Sequence, residues 1–190
     1  MSHNNEVDHK IVILGAGTVG KSAITVRMVA NTFKETYDAT IEDRYQCDIE
    51  FNGKNKRLDI LDTAGQEQFE ALQHHWIREG DAFLLVYSVN SRATFNHCRK
   101  CYETICRVKD DERVDLVLIG NKTDLPEQDH EVSYDDGLAL ANEWKVPFLA
   151  TSAKDNSNIT EAFQSIVREC LKNKPKPGPE AQPGCSCQIL

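Results

Sequence analysis

The chain has 190 residues, 40% of them hydrophobic and 27% charged, which suits one globular domain around one buried core and sets multidomain readings aside. Its 22 Lys and Arg stand against 30 Asp and Glu, a net charge of −8 that opposes the phosphate-neutralising contacts of non-specific nucleic-acid binding, so no nucleic-acid partner is expected. No apolar run approaches the roughly 20 residues that span a bilayer, and with neither a signal nor a transit segment at the start, and Ser2 where myristoylation needs Gly, a cytosolic protein is expected.

Apolar strand-like runs alternate with helical patterns, the signature of an α/β fold with a mostly parallel sheet and helices on both faces. A strand is expected at residues 10–14 and a helix at 21–30. Residues 43–51 read as a strand in which Tyr45, Cys47, Ile49 and Phe51 alternate with Gln46, Asp48 and Glu50, so one face is wet. Asn52-Gly53 supplies a two-residue turn into a strand at 57–62, the one antiparallel pair of a six-stranded sheet. A helix at 69–78, a strand at 82–89 and a helix at 93–108 come next. They are followed by a strand at 114–120, a helix at 134–144, a strand at 147–150 and a helix at 159–171 with Asn158 as its cap. From about residue 173 to 184 the chain holds Pro175, Pro177, Pro179 and Pro183 and almost nothing apolar. That stretch reads as a flexible stalk.

Between the first strand and the first helix stands Gly15-Ala16-Gly17-Thr18-Val19-Gly20-Lys21-Ser22, with Ala23 carrying it into the helix. Glycines let the backbone curl so that successive N–H groups point at phosphate oxygens, and the positive end of the helix adds to the attraction. In this GxxxxGK[ST] pattern Lys21 reaches the β- and γ-phosphates and the Ser22 hydroxyl ligates Mg²⁺. The loop implies a nucleoside triphosphate. Asn121-Lys122-Thr123-Asp124, at the carboxyl end of a buried strand, names the base. The Asp124 carboxylate can accept two parallel hydrogen bonds from guanine N1–H and its 2-amino group. Adenine offers neither donor and would leave a buried charge unpaired, so GTP is expected over ATP. Thr151-Ser152-Ala153-Lys154 follows the last strand and can close over the same base.

With these motifs in order, the chain resembles the small GTPases of the Ras superfamily, in the Ras/Rap branch. The likeness covers about residues 8–172 as a GTPase domain, with 173–190 as a tail, and it implies the P-loop small-GTPase fold. Tyr37-Asp38-Ala39-Thr40-Ile41-Glu42-Asp43 is similar to the family's first switch and Asp62-Thr63-Ala64-Gly65-Gln66-Glu67 to its second. The resemblance implies that Thr40 ligates Mg²⁺ and touches the γ-phosphate through its backbone, that Gly65 donates its N–H to that phosphate, and that Asp62 holds the metal through water. Gln66 orients the attacking water, and catalysis by Gln66, Lys21, Thr40 and Gly65 is positioning and charge neutralisation without a covalent intermediate. The same resemblance implies that Phe33 packs against guanine, that Lys122 covers it with its aliphatic stem, and that Ala153 offers its N–H to guanine O6. No arginine stands in cis for the γ-phosphate. Slow intrinsic hydrolysis is therefore implied, accelerated by an activating protein whose Arg finds room beside Gly17, which has no Cβ. The other implied partners are a guanine-nucleotide exchange factor and effectors with Ras-association domains, acting on a monomeric switch.

Gln66 separates the chain from the Rap group, which commonly carries Thr there. Three residues depart from the branch. Thr18 replaces Gly and is strained if its φ is positive, which would loosen the phosphate grip. Ala39 replaces Pro in the first switch, and Arg44 replaces a small polar residue on the partner-facing strand. Cys98-Arg-Lys-Cys101 has CxxC spacing but reads as a pair of helix thiols, since no second Cys/His pair closes a zinc site. His74-His75-Trp76 is not a metal site, because adjacent helix positions diverge; Trp76 is read as a partly buried anchor.

The chain ends Cys185-Ser186-Cys187-Gln188-Ile189-Leu190. The last four residues fit a prenylation box, with terminal Leu favouring geranylgeranyl on Cys187, and Cys185 is placed for a palmitoyl group as the second anchor. The expected location is the cytoplasmic face of a membrane, the plasma membrane first. Two alternatives to a switch remain at this stage, a P-loop phosphotransferase acting on a small acceptor and a non-hydrolysing GTP-binding scaffold.

Overall fold

A computed structural model of the chain describes residues 7–33, 40–65, 70–111 and 113–173. Gln66, Ala39, Phe69 and the tail cysteines Cys185 and Cys187 lie outside the described residues, as do Tyr37 and Asp38.

Six strands form one sheet in the order β2-β3-β1-β4-β5-β6. β1 (His9–Leu14) lies between β3 (Lys54–Thr63) and β4 (Ala82–Ser88), and β5 (Leu116–Asn121) and β6 (Phe148–Ala150) continue beyond β4. All neighbours are parallel except β2 (Glu42–Phe51) with β3, whose register runs from Glu42 opposite Thr63 to Phe51 opposite Lys54. The hairpin turn is Asn52-Gly53, with φ of +52° and +72°, as the type I′ geometry that suits the strands' twist requires. β3 starts at Lys54, three residues earlier than expected, because that tight turn lets pairing begin at once.

β1 shows how one strand serves two layers. Ile11 and Ile13 join a core with Ile24 of α1 (Lys21–Ala30) and Phe163 and Ile166 of α5 (Ile159–Asn173). Val12 and Leu14, pointing the other way, join Trp76 and Ile77 of α2 (Glu70–Glu79), Phe95 and Ile105 of α3 (Arg92–Lys109) and Leu140 of α4 (Tyr134–Trp144). The outer strand β2 alternates as its sequence dictates, with Ile49 and Phe51 buried and Arg44, Gln46, Asp48 and Glu50 exposed.

α4 opens with a capping box in which the Ser133 hydroxyl accepts from Asp136 N at 3.1 Å and the Asp136 carboxylate accepts from Ser133 N at 3.1 Å. A 3₁₀ turn at Glu127–Asp129 was not signalled by any apolar period. Asn158 precedes α5 and its carbonyl accepts from Ala162 N, but it holds φ +57° and its amide donates to Ala150 O at 2.8 Å. It joins α5 to the end of β6. Trp76 is buried outright, at 1% exposure, where a partly buried ring was expected. Cys98 and Cys101 are buried in the α3 face of the core, as the helix-thiol reading requires. No group of three or more His, Cys, Asp or Glu able to hold a metal occurs among the described residues.

Candidate functional site

The parallel strands end at one edge, where β1 in mid-sheet has neighbours whose connections leave in different directions, the usual place for a ligand crevice. The chain leaves β1 through Gly15, at φ +143°, where a Cβ would overlap the Val86 carbonyl. It enters α1 through Gly20, at φ +96°, where a Cβ would overlap the Asn121 amide. Between them Thr18 holds φ +62°, a left-handed conformation that strains a β-branched residue. The Lys21 ammonium is curled inside this loop, donating to Gly15 O at 3.0 Å and Ala16 O at 2.8 Å. Burial lowers its pKa to about 8, opposed by the charge of Asp62. A phosphate placed here would restore full protonation.

Asp62, near the end of β3, is fully buried. Neither of its carboxylate oxygens has a hydrogen-bond partner among the described residues. Burial raises its pKa to about 6, partly offset by the nearby Ser22 hydroxyl and by Lys21, while Asp43 adds to the rise. The Ser22 hydroxyl itself is hydrogen-bonded to Thr40 Oγ1 at 3.0 Å. An orphaned buried carboxylate beside two converging hydroxyls is a set of hard oxygen donors, and it fits Mg²⁺.

On the other side of the crevice Asn121 is buried and fully engaged. Its amide nitrogen donates to Val19 O at 2.9 Å, and its oxygen accepts from Thr151 Oγ1 at 3.1 Å and, more weakly, from Ala153 N at 3.4 Å. One Asp124 oxygen accepts from Ser152 Oγ at 2.7 Å, and the same hydroxyl accepts from Asp155 N at 3.0 Å, so Ser152 aims the carboxylate from behind. Lys122 takes φ +70° at the crevice, and burial lowers the pKa of its ammonium.

One cavity of about 440 Å³ lies between these parts, with Asp62, Ser152 and residues 15–17 of the phosphate loop behind its lining. It brings together Thr18, Gly20, Lys21, Ser22, Ala23, Phe33, Thr40 and Gly65 from the first half of the chain with Asn121, Lys122, Asp124, Ala153 and Lys154 from the second. Val19 turns its side chain into the core, so its share in the site is its carbonyl. Gly65 rests on the phosphate loop so closely that a Cβ there would overlap Ala16 and Gly17 backbone, whereas one on Gly17 would meet, among the described residues, only Gly65 O at 3.8 Å. Arg27 carried no signal in the sequence, and Thr63 stood in the second-switch motif without a role. Arg27 of α1 donates to Ala153 O at 2.8 Å, Lys154 O at 2.9 Å and Asn31 O at 3.0 Å, with its guanidinium 5.9 Å from the Phe33 ring centroid. Thr63 donates to Ile13 O at 2.7 Å and lines the cavity.

A family model described as the Ras family matches residues 10–172. The chain belongs to the Ras family. It is 48% identical over 161 residues to Ras-like protein 1 of Saccharomyces cerevisiae, a stretch that covers 85% of this chain and 52% of that protein. The chain thus spans about half the length of the curated relative it matches.

Glu42 of β2, in the stretch that resembles the family's first switch, and α2, which follows the stretch that resembles the second, are tied together. Trp76 Nε1 donates to Glu42 Oε2 at 2.8 Å. Arg44 pairs with Glu79 of α2 at 2.6 Å and with Glu42 at 3.3 Å. His75 also reaches Glu79, at 3.1 Å. Arg44, one of the three departures from the branch, is therefore a strut between β2 and α2.

Proposed function

We propose that this chain is a GTP/GDP molecular switch in signal transduction that hydrolyses GTP slowly and is returned to its GDP form by an activating protein. The reading rests on one observation, the single cavity in which a phosphate loop with Lys21 and Ser22 faces Asp124 and Lys122. Asp124, aimed by Ser152, selects guanine, and Lys122 lies along the base. Lys21 and the loop N–H groups bind the β- and γ-phosphates, while Ser22, Thr40 and Asp62 would hold Mg²⁺. Bound there, the metal supplies neutralisation of charge on the phosphates. Thr40 and Gly65 sense the γ-phosphate, and Gln66 orients the water that attacks it.

The output is a binding surface. Ile41 is 60% exposed beside the outer strand β2, which has a partner on one side only, an arrangement open to strand addition by an effector's Ras-association domain. Exchange factors would open the same crevice, and prenylation of Cys187 with palmitoylation of Cys185 would hold the switch at the cytoplasmic face of a membrane.

The test loads the protein with GDP or a non-hydrolysable GTP analogue and measures binding to a panel of Ras-association domains, alongside GTP turnover with no added acceptor. Acceptor-independent turnover and binding confined to the analogue form are expected. Turnover that demands a small-molecule acceptor would make the chain a phosphotransferase, and GTP retained even with an activating protein would make it a scaffold.

A further inference from the structure

At the pole opposite the nucleotide crevice, where α3 and α4 end and α5 runs out, lies a groove of about 970 Å³. Its floor is aromatic. The rings of Tyr102 and Trp144 stack with centroids 4.2 Å apart and planes 6° from parallel. Val114 and Val146 extend the apolar wall, and all four side chains are half-buried. The rim carries charge of both signs, including Glu103 and Arg113. Among the described residues, the groove shares no lining residue with the nucleotide crevice.

The end of α5 lies beside it. Glu169 lines the groove, and α5 continues to Asn173, four residues and about 6 Å of helix rise further on. The next residues in the chain are Lys174-Pro175-Lys176-Pro177-Gly178-Pro179-Glu180, with Pro183 beyond. Each proline fixes its own φ near −65° and biases the residue before it toward extended backbone, so such a segment has little conformational freedom to lose on docking. Stacked aromatic rings in an open groove are the surface that takes proline rings in polyproline recognition. The segment carries both signs of charge, Lys174 and Lys176 and then Glu180, as does the rim, with Glu103, Arg113 and Glu169, the last already paired with Lys172 at 2.7 Å. Eleven residues from 174 to 184 reach about 34 Å at the polyproline rise of about 3.1 Å per residue.

We infer that the Tyr102–Trp144 groove is a docking site for the chain's own proline-rich segment, residues 174–184. Docking there fixes the direction in which the chain's last residues leave the domain, whatever modification Cys185 and Cys187 carry.

The chain has two tryptophans, Trp76 and Trp144, so ¹⁵N-indole NMR of the full 190-residue protein reads the groove and an internal control together. Against the Pro175→Ser/Pro177→Ser/Pro179→Ser triple variant, the Trp144 indole signal of the parent is expected to be displaced. Trp76 should not move, and the displacement should survive dilution, with nuclear Overhauser contacts from Trp144 ring protons to proline Hδ. The three prolines follow Asn173, the last described residue, and the substitutions change no core residue. Coincident Trp144 signals would overturn the inference. A displacement that vanishes on dilution would instead assign the groove to a second copy of the chain, and one seen only with phosphatidylserine vesicles would assign it to a membrane surface; either result overturns intramolecular docking.

Discussion

The Asn121 side chain reaches across 102 residues of sequence to donate to the Val19 carbonyl at 2.9 Å, while its oxygen receives Thr151 and Ala153. One buried amide thus ties the phosphate loop to both base loops. Asn121→Ala would leave a buried carbonyl, a hydroxyl and an N–H to find new partners, each costing about 1–3 kcal/mol if left unmet. The expected result is a loss of about 2–4 kcal/mol in urea unfolding of the nucleotide-bound protein, together with GDP release faster by about 100-fold. Release at the parent rate would show that the loops are held independently of this side chain.

Asp62 sets a trade between binding and stability. Its folded-state pKa is about 6 against an ordinary 3.8, so the charged form is disfavoured by folding. With the pKa raised, the favourable contribution is complete below about pH 3.8 and is lost as pH rises through about 6. In chelator, the protein should gain stability from pH 7 down to pH 5, and Asp62→Asn should be more stable at pH 7 by about 2–3 kcal/mol with a flatter pH response. Lys21, lowered to about 8, acts in a different window. Its stabilising share is present above the ordinary lysine pKa and lost as pH falls through about 8, so it does not mask the acid limb. The same variant should lose Mg²⁺ binding. Thermal unfolding at the two pH values, with and without Mg²⁺, decides it; parallel pH curves for parent and variant would refute the assignment.

Thr18 holds φ +62°, where an L residue with a branched Cβ costs about 1–2 kcal/mol. Glycine removes that strain but returns about 0.5–1 kcal/mol of unfolded-chain entropy. Thr18→Gly is therefore expected to stabilise the nucleotide-bound form by up to about 1 kcal/mol and to slow GDP release several-fold. An unchanged off-rate of a fluorescent GDP analogue would show that the strain is not felt at the phosphates.

The legibility of this chain followed chemistry with strict spacing. α1 and α4 begin and end where the periodicity places them, and the phosphate loop could be read from Gly15 to Ser22 because its backbone geometry admits few residues. Arg27 could not be read. Its partners are backbone carbonyls of Asn31, Ala153 and Lys154, two of them more than 120 residues away, and a carbonyl leaves no mark in a sequence. Asn121 was read with the base motif, yet its buried contacts are to Val19, Thr151 and Ala153, because the approach of three loops is a property of sheet order. Trp76 was underestimated for a similar reason. Its indole N–H finds Glu42 on a neighbouring strand, which lets a large amphipathic ring be buried completely.

Arg44 joins Glu79 and Glu42 on a surface where ion pairs contribute little, with its side chain 44% exposed. Arg44→Ser should therefore change global stability by less than about 1 kcal/mol. Its effect should appear locally. The Glu79 carboxyl is held below the ordinary range by the hydrogen bond from Arg44, and Glu42 is shared between Arg44 and the buried indole of Trp76. Removing the guanidinium frees Glu79 to pair with His75 alone and leaves the β2-to-α2 link to the Trp76–Glu42 bond. Amide hydrogen exchange in α2 is expected to speed up several-fold in Arg44→Ser, and Glu79→Gln should do the same. In the double variant the effect should be no larger than in either single one, since both break one contact. Additive effects would mean that Arg44 and Glu79 act on α2 separately, through Glu42 and His75, and that the strut does not join β2 to α2.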